Sequence, residues 1–234
     1  MILTCENKSY KIRNGDEMKD LKDISASVIG RLPRYYRFLC ELSQAGTVRI
    51  SSGELSQRMG LTASQIRQDF NCFGGFGQQG YGYNVEQLKK EMASILGLDD
   101  LTPAILMGAG NLGRAVASQM RFEEMGFSLV GIFDIDPTYR GMKLGGVPIL
   151  QNDALPAFCL EKRPKMAILC VPLDQAAALV DELILLGLDS FWNFSHFDIH
   201  AKYPQANVTN VHLSDSLMTL SYSIKNSNGG SRNA

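Results

Sequence analysis

Residues 104–115 read Ala-Ile-Leu-Met-Gly-Ala-Gly-Asn-Leu-Gly-Arg-Ala, and no other stretch narrows the possible folds so far. Four residues suited to a buried strand run into Gly108, Ala109, Gly110, Asn111, Leu112 and Gly113, then into a helical pattern. That is G-x-G-x-x-G between a strand and a helix, the context a dinucleotide fingerprint requires. Gly108 suits a tight turn, Gly110 lets the backbone approach a pyrophosphate, and Gly113 lets helix and strand pack closely. The diphosphate then falls at the helix N-terminus, where N–H groups lack partners. A second apolar run, Ser128-Leu-Val-Gly-Ile-Phe-Asp134, ends in an acid 21 residues beyond Gly113. An acid there accepts hydrogen bonds from the adenosine ribose hydroxyls and repels a 2′-phosphate, which points to NAD(H) rather than NADP(H). A glycine turn with no ligand is the bland alternative, and Asp134 weighs against it.

Strand and helix alternate from residue 102 onward. A short strand is expected at residues 146–150, a helix at 153–161, and an apolar strand at 165–171 of the kind buried on both faces of a parallel sheet. A helix at 173–186 and strands at 190–194 and 207–212 complete a doubly wound sheet. Its ligand edge holds Val171-Pro172 and Asn193-Phe194. The last helix, 214–224, carries Leu217, Leu220 and Ile224 on one stripe with Met218 alongside. It lies beyond the sixth strand, so either a second copy of the chain or its own domain covers that stripe.

The first part of the chain has a different plan. Residues 31–42 read as a helix with Pro33 in its first turn and Leu32, Tyr35 or Tyr36, Leu39 and Leu42 inward. Ser51-Ser52-Gly-Glu54 is a capping box that opens a short helix closed by Gly60, and Thr62-Ala63-Ser64-Gln65 opens another two residues later. This is the helix-turn-helix plan. Ile66, Phe70 and Phe73 face the core, leaving Ala63, Ser64, Gln65, Arg67, Gln68 and Asn71 on a face suited to base edges and phosphates. A solvated polar face is the competing reading. Five glycines from Gly74 to Gly82 read as a hairpin with a flexible tip, the wing of a winged helix, with Gln78 and Gln79 toward the minor groove and Tyr81 a further DNA-contact candidate.

The charge balance agrees with that division. Residues 18–84 hold 8 Lys/Arg against 5 Asp/Glu, and residues 85–234 hold 12 against 16. The mild excess hints at a polyanion partner, double-stranded DNA, for the first part only. Five scattered cysteines without a C-x-x-C pair fit neither zinc nor a disulfide framework. No signal-like core and no run of 18 apolar residues is present, so a cytoplasmic protein is expected. The domains expected are a mobile extension at 1–23 and a winged-helix DNA-binding domain at 24–84. A Rossmann NAD(H)-binding domain at 85–212, a C-terminal helix at 213–224 and a disordered tail at 225–234 follow. The helix at 85–98 is assignable to either side of the boundary, and periodic structure begins only after Met18, a candidate start. The fold class is α/β, a winged helix-turn-helix followed by a doubly wound parallel sheet.

With both modules in view, the chain closely resembles the Rex family of bacterial redox-sensing transcriptional repressors. The resemblance is carried by Arg31-Leu-Pro-Arg-Tyr-Tyr-Arg37, Ser51-Ser-Gly-Glu-Leu55, Ile66-Arg-Gln-Asp-Phe70 and Gly80-Tyr-Gly-Tyr-Asn-Val85. It continues through Gly110-Asn-Leu-Gly-Arg114, Phe133-Asp-Ile-Asp-Pro137 and Leu220-Ser-Tyr222. It implies a homodimer on an inverted-repeat operator, released by NADH and not by NAD⁺, with the last helix exchanged between subunits. It further implies that residues 108–113 hold the diphosphate and Asp134 the ribose, with Val171, Pro172, Asn193 and Phe194 near the nicotinamide. This chain departs from the family's common pattern in its Gln78-Gln79 wing tip, at His196 in Asn193-Phe-Ser-His196, and at His212. An acid is frequent at the last position and pairs in the family with an arginine matching Arg37. The two histidines read either as solvated residues or as a source of pH dependence.

An NAD-dependent dehydrogenase with an accessory helix-turn-helix is the rival reading. About one domain's length of nucleotide fold leaves no room for a substrate domain, and the ligand edge offers no catalytic set and no metal ligands. A CoA-binding regulator is a third, disfavoured because Asp134 meets a ribose 3′-phosphate.

Overall fold

The computed structural model describes residues 11–14, 17–20, 24–73 and 81–229. The chain divides into two units, Met1–Asp99 and Asp100–Ala234.

The first unit opens with β1 (Lys11–Asn14) and β2 (Glu17–Asp20), paired antiparallel from Lys11↔Asp20 to Asn14↔Glu17. Ordered pairing therefore begins before Met18, in a stretch expected to be unpatterned. In the sequence the two residues between these strands are Gly15 and Asp16, a composition common in two-residue hairpin connections. Then come α1 (Ala26–Ile29), α2 (Leu32–Gln44), β3 (Arg49–Ile50), α3 (Ser52–Met59), α4 (Ala63–Asn71), β4 (Tyr83–Asn84) and α5 (Val85–Ile95). Leu32, Tyr35, Leu39 and Leu42 are the buried stripe of α2, which settles the choice between Tyr35 and the half-buried Tyr36. They form one core with Leu55, Met59, Ile66, Phe70 and Phe73. Val85, Leu88 and Met92 of α5 lie in that core too, so α5 belongs to this unit and the boundary falls at Asp99 rather than residue 84.

The second unit is built on β5 (Thr102–Met107), α6 (Asn111–Gln119), β6 (Phe127–Asp134), β7 (Lys143–Leu144), β8 (Val147–Gln151) and α7 (Leu155–Lys162). It continues with β9 (Met166–Leu169), α8 (Leu173–Leu185), β10 (Ser190–Asn193), α9 (Ile199–Lys202), β11 (Asn207–Asn210) and α10 (Leu213–Gly229). The sheet order is β11-β10-β9-β5-β6-β8-β7. All neighbours are parallel except β7, which folds back antiparallel on β8 through Lys143↔Pro148. The sheet expected to be wholly parallel thus carries an antiparallel edge ribbon. Gly145 and Gly146, both at positive φ, make its tight reversal. Chain direction reverses outward from β5 and β9, so the crevice beyond their ends is the topological switch point. One sheet face is covered by α7, α8 and α9, the other by α6. The last helix runs to Gly229, five residues past the expected end, so residues 225–229 are helical and not tail.

Candidate functional site

The fingerprint loop sits at that switch point. Gly108 has φ 95°, and a Cβ there would lie 2.6 Å from the carbonyl oxygen of Cys170. A Cβ on Gly113 would lie 1.8 Å from the carbonyl oxygen of Gly108. The fold itself demands both glycines. Gly110, the N-cap of α6, is different, since a Cβ there meets nothing within 4 Å. The fold has no internal need for glycine at that point, which is what close approach of a ligand to the backbone predicts.

Asp134, at the end of β6, accepts from Ala109 N (2.5 Å) on Oδ2 and from Asp136 N (2.8 Å) on Oδ1. With Gly108 and Gly110 it lines a cavity of 660 Å³ whose other walls include Ile135, Val171 and Pro172. That volume lies in the range of small-molecule sites. Asn111 and Leu112 are exposed in the first turn of α6, while Ala109 and Gly113 are buried beneath it. The loop, the α6 N-terminus and Asp134 together fit the diphosphate and adenosine ribose of a dinucleotide. Cys170 also faces the cavity, and burial pushes its thiol up to about 12, so it stays protonated and is no nucleophile.

Asn193 departs from expectation. It is fully buried, donates to Phe197 O and Asn210 Oδ1, and accepts from Ser195 N and Ser195 Oγ. With every group engaged it has nothing to offer a ligand directly, and it shapes the loop that follows β10. Phe194 is half-buried, edge-on to Trp192 at 4.7 Å. Further along that loop His196 adopts φ 62° and stacks on His212, with centroids 4.5 Å apart and Nδ1 atoms 2.6 Å apart. Neither the spacing nor the flanking residues of the two histidines foretold this contact.

In the first unit Ser51 caps α3 through its side chain with the reciprocal Glu54 contact present, and Gly60 closes the helix in a left-handed conformation. Thr62 caps α4 through Gln65 N, but only half of the expected capping box forms. The Gln65 side chain turns instead to Asp69 (Nε2 to Oδ1, 2.9 Å). Ser64, Arg67 and Gln68 are exposed, Ala63 is half-exposed, and Arg67 donates to Ser52 Oγ (3.0 Å), joining the two helices. Tyr81 is exposed, and its carbonyl accepts from Arg49. β3 pairs with β4 through Arg49↔Asn84. The expected contacts of Gln78 and Gln79 lie outside the described residues.

Asp69 was missed altogether. It is 1% exposed and accepts from Arg31 Nε (2.7 Å), Arg31 Nη2 (2.7 Å), Tyr35 Oη (2.8 Å) and Gln65 Nε2. Burial alone raises its pKa, but the hydrogen bonds from Arg31, Tyr35 and Gln65 outweigh that and hold it below the usual range. A charged residue one turn after Gln65 reads as solvated face, and only its i,i+4 spacing from Gln65 signalled otherwise.

Two family models match, one described as "Putative DNA-binding protein N-terminus" over residues 23–71, the other as "CoA binding domain" over residues 99–197. The redox-sensing transcriptional repressor Rex of Caldanaerobacter subterraneus subsp. tengcongensis is 52% identical over 85% of this chain and 88% of the relative. The chain belongs to the Rex family. The Clostridium beijerinckii Rex is 48% identical over 90% of this chain and 99% of its own. A solved structure described as RSP with β-NAD⁺ and operator DNA superposes with a TM-score of 0.81 at 47% identity, covering 90% of this chain and 99% of that one. A second, RSP with β-NADH, gives 0.80 at 45% identity over 88% and 96%.

Proposed function

We propose that this Rex-family chain is a homodimeric transcriptional repressor that reads the NADH/NAD⁺ ratio and leaves an inverted-repeat operator when its second unit takes NADH. The observation that carries the reading is the fingerprint loop. Gly108 and Gly113 are required by the fold, while Gly110 is open toward a cavity that Asp134 lines. In the same chain two capped helices form a helix-turn-helix. The diphosphate is assigned to residues 108–113, the ribose to Asp134, and the approach to the nicotinamide to Val171, Pro172 and Phe194, with Asn193 holding the loop. Ser51, Ser52, Ala63, Ser64, Gln65, Arg67, Gln68, Gln78, Gln79 and Tyr81 are assigned to DNA.

Reduced and oxidised nicotinamide differ by one positive charge and the shape of one ring, so the response rests on differential affinity for two conformations of the dimer. Leu213, Leu217, Met218, Leu220, Tyr222 and Ile224 of α10 are all exposed, and a second copy of the chain is the partner assigned to them. Turning two recognition helices away from one-turn spacing then breaks the operator fit.

The solved relatives named for NAD⁺, NADH and operator DNA, and the curated relatives named as repressors, support a regulator over a dehydrogenase. The match to a CoA-binding model reflects the shared nucleotide fold, since Asp134 meets the ribose with negative charge. No described helix is long and apolar enough to cross a membrane, and we assign the protein to the cytoplasm.

The test is fluorescence anisotropy on a labelled inverted-repeat operator titrated separately with NADH and NAD⁺. Release by micromolar NADH with retention under NAD⁺ is the expected result, and Gly110→Ala blunts it in a folded protein. Tight NADH binding without any DNA binding would instead favour the dehydrogenase.

A further inference from the structure

We infer that Asp69 is a positioning residue that fixes the amide of Gln65 in one orientation, so that the recognition helix α4 selects an adenine in each operator half-site. The inference rests on the reading that α4 enters the major groove.

Gln65 is the third residue of α4, in the N-terminal part of a recognition helix that reaches base edges. A glutamine amide ordinarily has two orientations of nearly equal shape, one presenting nitrogen and the other oxygen. Here the choice is made chemically. An ionised carboxylate only accepts hydrogen bonds, so the group that Gln65 turns to Asp69 Oδ1 must be Nε2. Reversing the amide would set its oxygen against a buried carboxylate oxygen.

Asp69 cannot move to accommodate such a reversal. Arg31, the N-cap residue of α2, grips it through two nitrogens, and Tyr35 of α2 holds it through its hydroxyl. Tyr35 is itself locked in the core, edge-on to Phe70 at 5.0 Å. The carboxylate is thus anchored to the scaffold, and the scaffold determines which atoms Gln65 keeps for DNA.

What remains on Gln65 is Oε1 and one N–H. Adenine is the base whose major-groove edge offers a matching pair, a donor at N6 and an acceptor at N7. Guanine presents two acceptors, N7 and O6, and thymine presents O4, so each sets an acceptor against Oε1. A freely turning glutamine would tolerate guanine or thymine by reversing its amide, and the Asp69 anchor removes that option.

The experiment is selection of duplexes from a randomised pool by the full-length protein, followed by affinity measurements on the selected operator. Wild type is expected to require adenine at one position per half-site by about tenfold over guanine, within the range of a good bidentate contact. Replacing that adenine with 7-deazaadenine or with purine, which lacks N6, should each weaken wild-type binding several-fold. Gln65→Ala should bind both analogues and adenine alike. Asp69→Asn should relax the adenine-over-guanine preference at the same position, leaving preferences elsewhere and the salt dependence in place. A purely structural Asp69 would lower affinity for all sequences together. If Asp69→Asn does not fold, the two analogues on wild type and Gln65→Ala still decide. Equal sensitivity of wild type and Gln65→Ala to every adenine analogue overturns the inference. Failure of wild type to select any duplex overturns the DNA-binding reading itself.

Discussion

Asp69 and Asp134 are both aspartates with two well-placed oxygens, and they do opposite things. Asp69 receives four hydrogen bonds, two on each oxygen, which fills about all the acceptor positions a carboxylate has. It is sealed in the core of the first unit and has nothing left for a ligand. Asp134 receives two, both from backbone N–H groups, and faces an open cavity with acceptor capacity to spare. The glycines of the fingerprint divide in the same way, Gly108 and Gly113 answering to the fold and Gly110 to what lies outside it. A polar group satisfied within the chain belongs to the scaffold, and one left half-satisfied at a crevice marks the site.

Replacing Asp69 tests the first half of that contrast with the largest expected effect. Asp69→Ala leaves the buried Tyr35 hydroxyl and the partly exposed Arg31 without their acceptor, and losing charge-assisted hydrogen bonds to a buried carboxylate costs about 2–3 kcal/mol. Urea unfolding followed through the first unit should show that loss. A change below about 1 kcal/mol would mean that Asp69 holds nothing together.

Asp134→Ala should behave in the reverse manner. Water entering the open cavity can take the Ala109 N–H, so stability should fall by only about 1 kcal/mol. NADH affinity, read from its fluorescence, should fall about 10- to 100-fold, the loss of charge-assisted bonds worth about 1.5–3 kcal/mol. Comparable losses of stability in both aspartate variants would dissolve the distinction.

The same contrast explains what could be read from the chain. The place of Asp134, at the end of β6 beside the cavity, was legible because the strand-loop-helix pattern fixes its distance from Gly113. The capped helices were legible because capping is local. Asp69 was not, because its partners Arg31 and Tyr35 lie more than thirty residues away and only folding brings them together. Gln65 lies on the expected helix, but its side chain turns to Asp69, a local i,i+4 partner whose burial and anchoring by Arg31 and Tyr35 are non-local. Val85, Leu88 and Met92 gave α5 an apolar face without saying which core it would join. The ring contact of His196 and His212 joins residues sixteen apart, and His196 makes it from a left-handed backbone that is uncommon outside glycine.

Acid should separate the two units more gently. Asp69 has a folded pKa below its unfolded value of about 3.9, so its contribution to stability is present above that value and is lost as pH falls through the folded one. Hydrogen bonds from Lys202 and Tyr203 lower Asp181 of the second unit likewise. It lies at the surface, where such a pair contributes little. Between pH 5 and pH 3, about one unit either side of the ordinary carboxylate value, the first unit should lose more of its urea midpoint. In Asp69→Asn that excess should vanish.

The smallest effect is expected at the histidine pair, the counterpart of the Asp69 cluster in the second unit. The two Nδ1 atoms lie 2.6 Å apart, so one ring donates to the other, but at the surface where water competes. His196 also holds a left-handed backbone at φ 62°, a conformation glycine adopts freely. His196→Gly therefore removes the ring contact while relaxing the backbone beneath it. The two changes oppose each other, and the unfolding free energy of the second unit should move by less than about 1 kcal/mol. A loss of more than about 2 kcal/mol would put this exposed pair beside the buried aspartate in weight. Burial would then no longer be what divides a scaffold contact from a peripheral one in this protein.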